Sequence, residues 1–471
     1  MASLDISPDE FLRLAERITK LTADYLTSLD SRPVFPPTSG VESERLFRTA
    51  LPEKGSGAEA LAALNDVLQN SRAPSSRFFG YVLGSGEPVA ALADLLASVL
   101  NQNVTAWRSG PAAVSIEQTV IGWLAKAVGC AGFTGSLTGG GSSANLMGLT
   151  MAREARMPVN EAGFSGVGQG TVYASEQVHM SIAKSMAVLG LGRKSLRLIP
   201  TDRQFRLIPS ELEAAIQHDR SAGKIPVAIV ACAGATNTGA IDPLLEIAAI
   251  ARRQDVWLHI DGAYGALAAI AAPHKFDGLD LADSLSLDPH KWLYQPLDCG
   301  CLLYRDQRHA QRTFSYSGDY TKVLSLDPIE GFAFFEESLE LSRRFRALKL
   351  WLSLRYHGLA AFRESIRKDL DHAQRLASAI QIHPEFELMA AVELSAVCFR
   401  YKGRLLPEQQ LDALNAAILR RVVQRGRVYT SNATLRGKFC LRACVVNHRT
   451  TESDIDSVLP EVLAAAAEVE P

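Results

Sequence analysis

Four short segments carry residue types that can do chemistry. Each falls at or just after the end of an expected strand, which is where open α/β sheets bind ligands. Leu287-Asp288-Pro289-His290-Lys291-Trp292 follows a short strand at 283–287 and sends His290 and Lys291 out of a tight turn. A lysine wedged between an apolar strand and Trp292 is poorly solvated, which frees its amine to form an imine with a carbonyl. The strand 256–261 ends in Asp261. Side chains alternate along a strand, so Trp257, His259 and Asp261 share one face. Asp261 then arrives beside Gly262 and Ala263, residues small enough to admit a flat ring whose protonated nitrogen a carboxylate can hold. His259 reads as structural. Thr138-Gly139-Gly140-Gly141-Ser142-Ser143-Ala144-Asn145 leads into a helix and offers an anion such as phosphate close backbone approach and a positive dipole end. In Tyr173-Ala174-Ser175-Glu176-Gln177-Val178-His179, His179 follows a strand and begins a helix.

Each segment also has a plainer reading. A Gly-rich turn can simply join a strand to a helix, and an Asp at a strand end can close a turn. A lysine is ordinarily a solvated surface group, and a histidine at a helix start is ordinarily no catalyst. The glycine run lacks both the Lys-Ser/Thr ending of a nucleotide P-loop and the spacing of a dinucleotide fingerprint.

The elements around these segments predict an α/β protein. Ile225 to Ala231 is a continuous apolar run, as in a strand covered on both faces of a parallel sheet. Ser210-Glu211-Leu212-Glu213 before it reads as a capping box opening a helix. A helix at 243–253 and the strand 256–261 after it complete right-handed βαβ units. Helices are expected at 8–29, 58–68, 88–101 and 114–128. Residues 311–335 read as a long loop, of the kind that is usually functional. A helical run at 337–381, then strand, helix, strand and helix, make a smaller α+β domain. The expected organisation is an N-terminal helical arm (1–85), a large α/β domain (86–340) and a small C-terminal α+β domain (341–471). The arm cannot bury its own apolar face, so a partner subunit is expected to cover it.

Bulk properties exclude several classes. The 471 residues are 47% hydrophobic and 21% charged, with a net charge of −2. That is an ordinary globular composition without the basic excess of a nucleic-acid binder. Seven cysteines without a C-x-x-C pair argue against a disulfide framework and a zinc site, so no metal is expected. The N-terminus shows no signal-peptide pattern, and the apolar stretch Pro88 to Leu100 is too short to span a bilayer, so the cytoplasm is the expected compartment.

The segments T-G-G-G-S-S-A-N, Y-A-S-E-Q-V-H, H-I-D-G-A-Y and D-P-H-K-W, in that order, resemble the group II amino-acid decarboxylases that depend on pyridoxal 5′-phosphate (PLP). Within that group the chain is most similar to the aromatic-L-amino-acid decarboxylases, over roughly residues 75–450. The resemblance implies a type I PLP-dependent fold, similar to aspartate aminotransferase, and a homodimer with its active site at the subunit boundary. It implies Lys291 as the Schiff-base lysine, Asp261 as partner of the pyridinium nitrogen and His179 as the residue stacked on the ring. Gly141, Ser142 and His290 match phosphate-binding positions, Thr236 the threonine near the phenolic oxygen, and Ala263 the small residue on the second ring face. Tyr320 matches the mobile-loop tyrosine that protonates the carbanion, with Tyr316 four residues away as its alternative.

The implied reaction removes the α-carboxylate of an L-amino acid, giving an amine and CO2, with PLP as the electron sink. Similar aldehyde synthases typically replace the loop tyrosine by Phe or the stacking histidine by Asn; both decarboxylase residues stand here. Tyr81 and Val82 match the substrate-facing strand, and Thr105 stands where aromatic decarboxylases commonly carry Phe. Tyrosine, tryptophan, phenylalanine or dopa remain the favoured substrates, with a polar or acidic amino acid as the alternative and an aminotransferase or carbon–carbon lyase behind both. Arg442 could hold a substrate carboxylate or form an interdomain salt bridge. Asp288 stands where several relatives have Asn, and a carboxylate beside a phosphate is unfavourable, so it is expected to point elsewhere.

Overall fold

The computed structural model describes residues 4–316, 327–403 and 406–469. In chain order the strands are β1 (Phe78–Phe79), β2 (Thr134–Thr138), β3 (Gly170–Ser175), β4 (Leu196–Ile199), β5 (Ile225–Cys232), β6 (Trp257–Asp261), β7 (Ser284–Leu287), β8 (Gly300–Tyr304), β9 (Phe386–Leu388), β10 (Ala396–Tyr401), β11 (Tyr429–Leu435) and β12 (Lys438–Cys444). The chain divides into two compact units: Met1–Gly80 with Arg400–Ala443 and Arg449–Pro471, and Tyr81–Phe399 with Cys444–His448.

The larger unit is built on a seven-stranded sheet in the order β2-β8-β7-β6-β5-β3-β4. Neighbours from β7 through β6, β5 and β3 to β4 pair in parallel, whereas β8 runs antiparallel to both β2 and β7. The apolar run expected as a doubly covered strand is β5, buried from Pro226 to Cys232. Completely buried side chains such as Ile229 and Val230 each contribute about 1.5–3 kcal/mol through burial.

Three local expectations are corrected. The helix before β5 spans Pro209–Ser221 with Ile208 as its N-cap, so Ser210 lies inside the first turn and no capping box forms. Pro209 starts the helix instead, because its fixed φ and missing N–H suit the first helical position. Residues 311–314 are not loop but the end of the helix Gln307–Phe314, which opens where the Asp306 side chain accepts the Arg308 N–H. The helical run placed at 337–381 is observed as Ala347–Ile382, interrupted at Gly358, whose φ of 75° a glycine adopts without strain.

In the smaller unit β1 pairs in parallel with β11, and β11 pairs antiparallel with β12. Its helix Pro8–Thr27 buries none of its residues and leaves Phe11, Leu12 and Ile18 exposed. All seven cysteines are buried free thiols. Among the described residues no helix is long and apolar enough to cross a membrane, and no grouping of His, Cys, Asp and Glu could hold a metal ion.

Candidate active site

The ends of β2, β3, β5, β6 and β7 carry the sequence-derived residues of the larger unit. β2 ends in the glycine run, and the helix Gly141–Arg156 begins directly after it. Gly140 has φ 138°, a conformation that side chains resist, and a Cβ on Gly300 would sit 2.4 Å from its Cα. A Cβ on Gly141 would lie 2.7 Å from the Ala263 Cβ and 2.9 Å from Asp288 Oδ2. Glycine is therefore required where this helix start meets the ends of β6 and β7. The first N–H groups of a helix have no acceptor within it, so they face outward as anion donors.

Asp261 closes β6 and is buried. Its Oδ2 accepts a hydrogen bond from Asn145 Nδ2 at 2.9 Å; its Oδ1 accepts from Ser286 Oγ at 3.1 Å and from the Ala263 N–H at 3.2 Å. Three fixed donors thus aim the carboxylate. His179 is the N-cap of the helix Met180–Val188, its Nδ1 accepting the Ser181 N–H at 3.3 Å and lying 2.9 Å from Ser181 Oγ. Burial pushes the His179 imidazole down, against the raising influence of Asp261 and Asp288 and with Lys291 lowering it further. The ring is therefore held neutral. Thr236 sits half-buried in the turn after β5.

Pro289–Trp292 forms a single helical turn after β7. The Lys291 side chain is 18% exposed, and its Nζ lies 2.9 Å from Asp288 Oδ2. The amine is thus held by a carboxylate as well as shielded by its surroundings. Asp288 does not point elsewhere as expected. It is buried, approaches the glycine cradle and the lysine, and leaves Oδ1 without a partner among the described residues. The Lys291 ammonium provides the reason, because a buried carboxylate needs a counter-charge. His290 lies 2.7 Å from the Cys299 carbonyl through Nδ1 and 3.6 Å from Asp288 through Nε2; burial pushes it down while Asp288 raises it.

The substrate-side residues are less concentrated. Tyr81 is exposed with φ 59°, Val82 is partly buried, and Gly84 packs so closely on the Lys291 turn that a Cβ would meet the His290 carbonyl oxygen at 2.5 Å. Thr105 is partly buried, its carbonyl accepting the Phe335 N–H. Arg442 belongs to β12 of the smaller unit, where its Nε donates to Ser431 Oγ at 3.2 Å. Tyr320 lies outside the described residues, and Tyr316 is exposed.

Sequence reasoning gave no role to Asn145, Ser181, Ser284 or Ser286. The usable signal for Asn145 was its spacing: it lies four residues after Gly141, on the same helix face. It also overlooked Glu117, which accepts the Leu137 N–H at 2.9 Å and pairs with buried Arg343 behind β2.

A lysine amine, a fully hydrogen-bonded carboxylate, a neutral histidine and a glycine-lined helix start, all at one sheet edge, define a site for a phosphorylated aromatic aldehyde. The chain belongs to the pyridoxal-dependent decarboxylases, whose conserved domain matches residues 45–402. The aromatic-L-amino-acid decarboxylase of Bacillus atrophaeus is 35% identical over 474 residues, covering 99% of this chain and 98% of that protein. Phenylacetaldehyde synthase of Petunia hybrida is 30% identical, covering 96% and 93%. The structure of Oryza sativa TDC with PLP and tryptamine superimposes with a TM-score of 0.94 at 28% identity, covering both chains completely. The protein is accordingly a PLP-dependent carboxy-lyase of the type I fold, and its residues fit that cofactor: the cradle that Cβ atoms would fill, and a carboxylate and an amine held apart on neighbouring strand ends.

Proposed function

We propose that the enzyme decarboxylates an aromatic L-amino acid to its amine and CO2, with Lys291 as the residue that binds PLP covalently. The observation that carries this reading is the pairing of two separately held groups: Asp261, fixed by Asn145, Ser286 and the Ala263 N–H, and Lys291, held at Asp288. When bound, PLP supplies the electron sink that a carbanion at Cα requires.

The chain's own residues do the rest. Asp261 would pair with the ring nitrogen of the cofactor. Gly141, Ser142 and His290 would hold its phosphate, with Thr236 toward the phenolic oxygen and Ala263 and His179 on the two ring faces. His179, held neutral, would orient the substrate carboxylate that is lost. Tyr320 would act as the general acid that returns a proton to Cα. Tyr81, Val82 and Thr105 shape the substrate side, and Arg442 is the candidate carboxylate anchor. The aromatic class is favoured by the Bacillus relative; the Petunia relative supports decarboxylation-dependent aldehyde synthesis as a second reading, against which His179 and Tyr320 count.

We read residues 1–85 as the arm, 86–340 as the cofactor-binding part and 341–471 as the C-terminal part of a cytoplasmic homodimer whose active site lies at the subunit boundary. Apolar faces that lack cover support the dimer. The helix Pro8–Thr27 is one, and the helix Pro88–Leu100 exposes Leu92, Leu95, Leu96, Val99 and Leu100 at helical spacing. Purified protein loaded with PLP and given each of the twenty amino acids in turn tests the reading. Stoichiometric CO2 and amine from an aromatic substrate are expected. CO2 with aldehyde, ammonia and peroxide indicates the synthase, and a keto acid without CO2 contradicts decarboxylation.

A further inference from the structure

Behind Asp261 a chain of buried polar groups runs between β6, β7 and the helix Gly141–Arg156. Trp257 Nε1 lies 2.9 Å from Ser284 Oγ, and Ser284 Oγ 2.8 Å from His259 Nδ1. His259 Nε2 lies 2.9 Å from Asn145 Oδ1, and Asn145 Nδ2 reaches both Asp261 Oδ2 at 2.9 Å and Ser181 Oγ at 3.1 Å. His259 and Ser284 are completely inaccessible and Asn145 nearly so. Gly148, one turn beyond Asn145, makes room for the imidazole, since a Cβ there would lie 2.6 Å from His259 Nδ1.

The donors and acceptors of this chain fit together in one direction only. An indole nitrogen can only donate, so Ser284 Oγ accepts from Trp257; the Asp261 carboxylate can only accept, so Asn145 turns its N–H to Asp261 and its Oδ1 to His259 Nε2, which leaves His259 Nδ1 to accept the Ser284 proton. A neutral imidazole with Nδ1 accepting must carry its proton on Nε2, which it donates to Asn145 Oδ1. The Asn145 amide is thereby oriented with both N–H bonds toward Asp261 and Ser181. His179 Nδ1 accepts the Ser181 N–H, so it is unprotonated, and Ser181 Oγ donates to that same nitrogen. With Nδ1 occupied, His179 also carries its proton on Nε2. Burial holds His259 neutral, its pKa lowered to about 4.

We infer that Asn145 and His259 are positioning residues: the relay Trp257→Ser284→His259→Asn145 holds Asn145 as the donor to Asp261, and its branch through Ser181 Oγ reinforces the His179 tautomer that the Ser181 N–H already requires. Each acts through Asp261 or His179. A side chain that merely filled the space would leave the Asn145 amide free to turn its oxygen toward the carboxylate. The inference rests on Asp261 being the partner of the PLP ring nitrogen.

The test compares cofactor binding by wild type, His259→Gln, His259→Leu and Asn145→Ala, reading the dissociation constant of PLP and the visible circular dichroism of the bound cofactor. Gln places an N–H donor near the position of Nε2, whereas Leu preserves bulk without a donor. His259→Leu and Asn145→Ala are expected to weaken PLP binding by about 10-fold or more and to change the dichroic band, with His259→Gln within about 3-fold of wild type. Equal behaviour of Gln and Leu, or wild-type binding by Asn145→Ala, overturns the inference. Because a buried variant can fail to fold, the wild type is also examined by nitrogen-15 NMR of labelled histidine, the His259 signals being assigned by their loss in His259→Gln. A neutral ring protonated on Nε2 is required, and an Nδ1–H ring or an imidazolium near neutral pH overturns it. Wild type that binds no PLP at Lys291 would instead refute the underlying function.

Discussion

Asp261 and Asp288 are both buried carboxylates at neighbouring strand ends, yet they are held in opposite ways. Asp261 is surrounded by neutral donors that sit on rigid elements, and both of its oxygens are engaged. Asp288 leans on one side chain, Lys291, and leaves an oxygen unpartnered among the described residues. A carboxylate bound by fixed dipoles keeps its orientation whatever enters the site. One bound by a lysine loses its partner when that lysine reacts. The first arrangement suits a permanent electrostatic role, and the second suits a group that must readjust when the cofactor arrives.

Asp261→Asn should break the strong side of this comparison most severely. The neutral amide cannot hold a cationic ring nitrogen, and kcat should fall by about 10²-fold or more, measured with saturating PLP. Glu117→Ala removes a third buried carboxylate, the one paired with Arg343 behind β2. It should leave an uncompensated guanidinium and lower unfolding stability by about 3–5 kcal/mol in denaturant titrations. Asp288→Asn probes the weak side. It removes a negative charge beside the phosphate cradle while keeping the shape, so PLP affinity should change by no more than about 10-fold and in the tightening direction, by equilibrium dialysis.

The remaining effect concerns pH. His259 has a pKa near 4 in the folded chain against about 6.5 when unfolded, so the unfolded chain takes up the proton more readily. Wild type should therefore lose stability relative to His259→Gln as pH falls from about 6.5 to about 4, by up to about 3 kcal/mol, and the difference should become independent of pH above about 7. Using the difference isolates His259 from Asp242 and Asp369, whose burial raises them to about 6 and about 7.

Much of this site was legible in the sequence because its parts are local. Strand alternation put Trp257, His259 and Asp261 on one face, and all three are tied by hydrogen bonds toward β7 or the helix Gly141–Arg156. The glycine run, His179 at a helix start and Lys291 beyond β7 all depend on short-range geometry. What escaped depends on long-range contact. Asn145 meets Asp261 across 116 positions, so nothing near either residue announces the bond. Asp288 was expected to turn away because only the phosphate was weighed, whereas the nearer ammonium decides its orientation. Residues 311–314 read as loop in the sequence because the helix Gln307–Phe314 buries only Ala310 and so carries no apolar stripe. Pro209 outweighed Ser210 as a helix start because proline's fixed backbone acts one residue earlier.

Borohydride reduction of the PLP-loaded enzyme followed by peptide mass mapping shows whether Lys291 carries the cofactor. A single pyridoxyl group is expected on the peptide containing Lys291, absent from the Lys291→Ala chain. A tag on another lysine, or none on well-folded protein saturated with PLP, would contradict it.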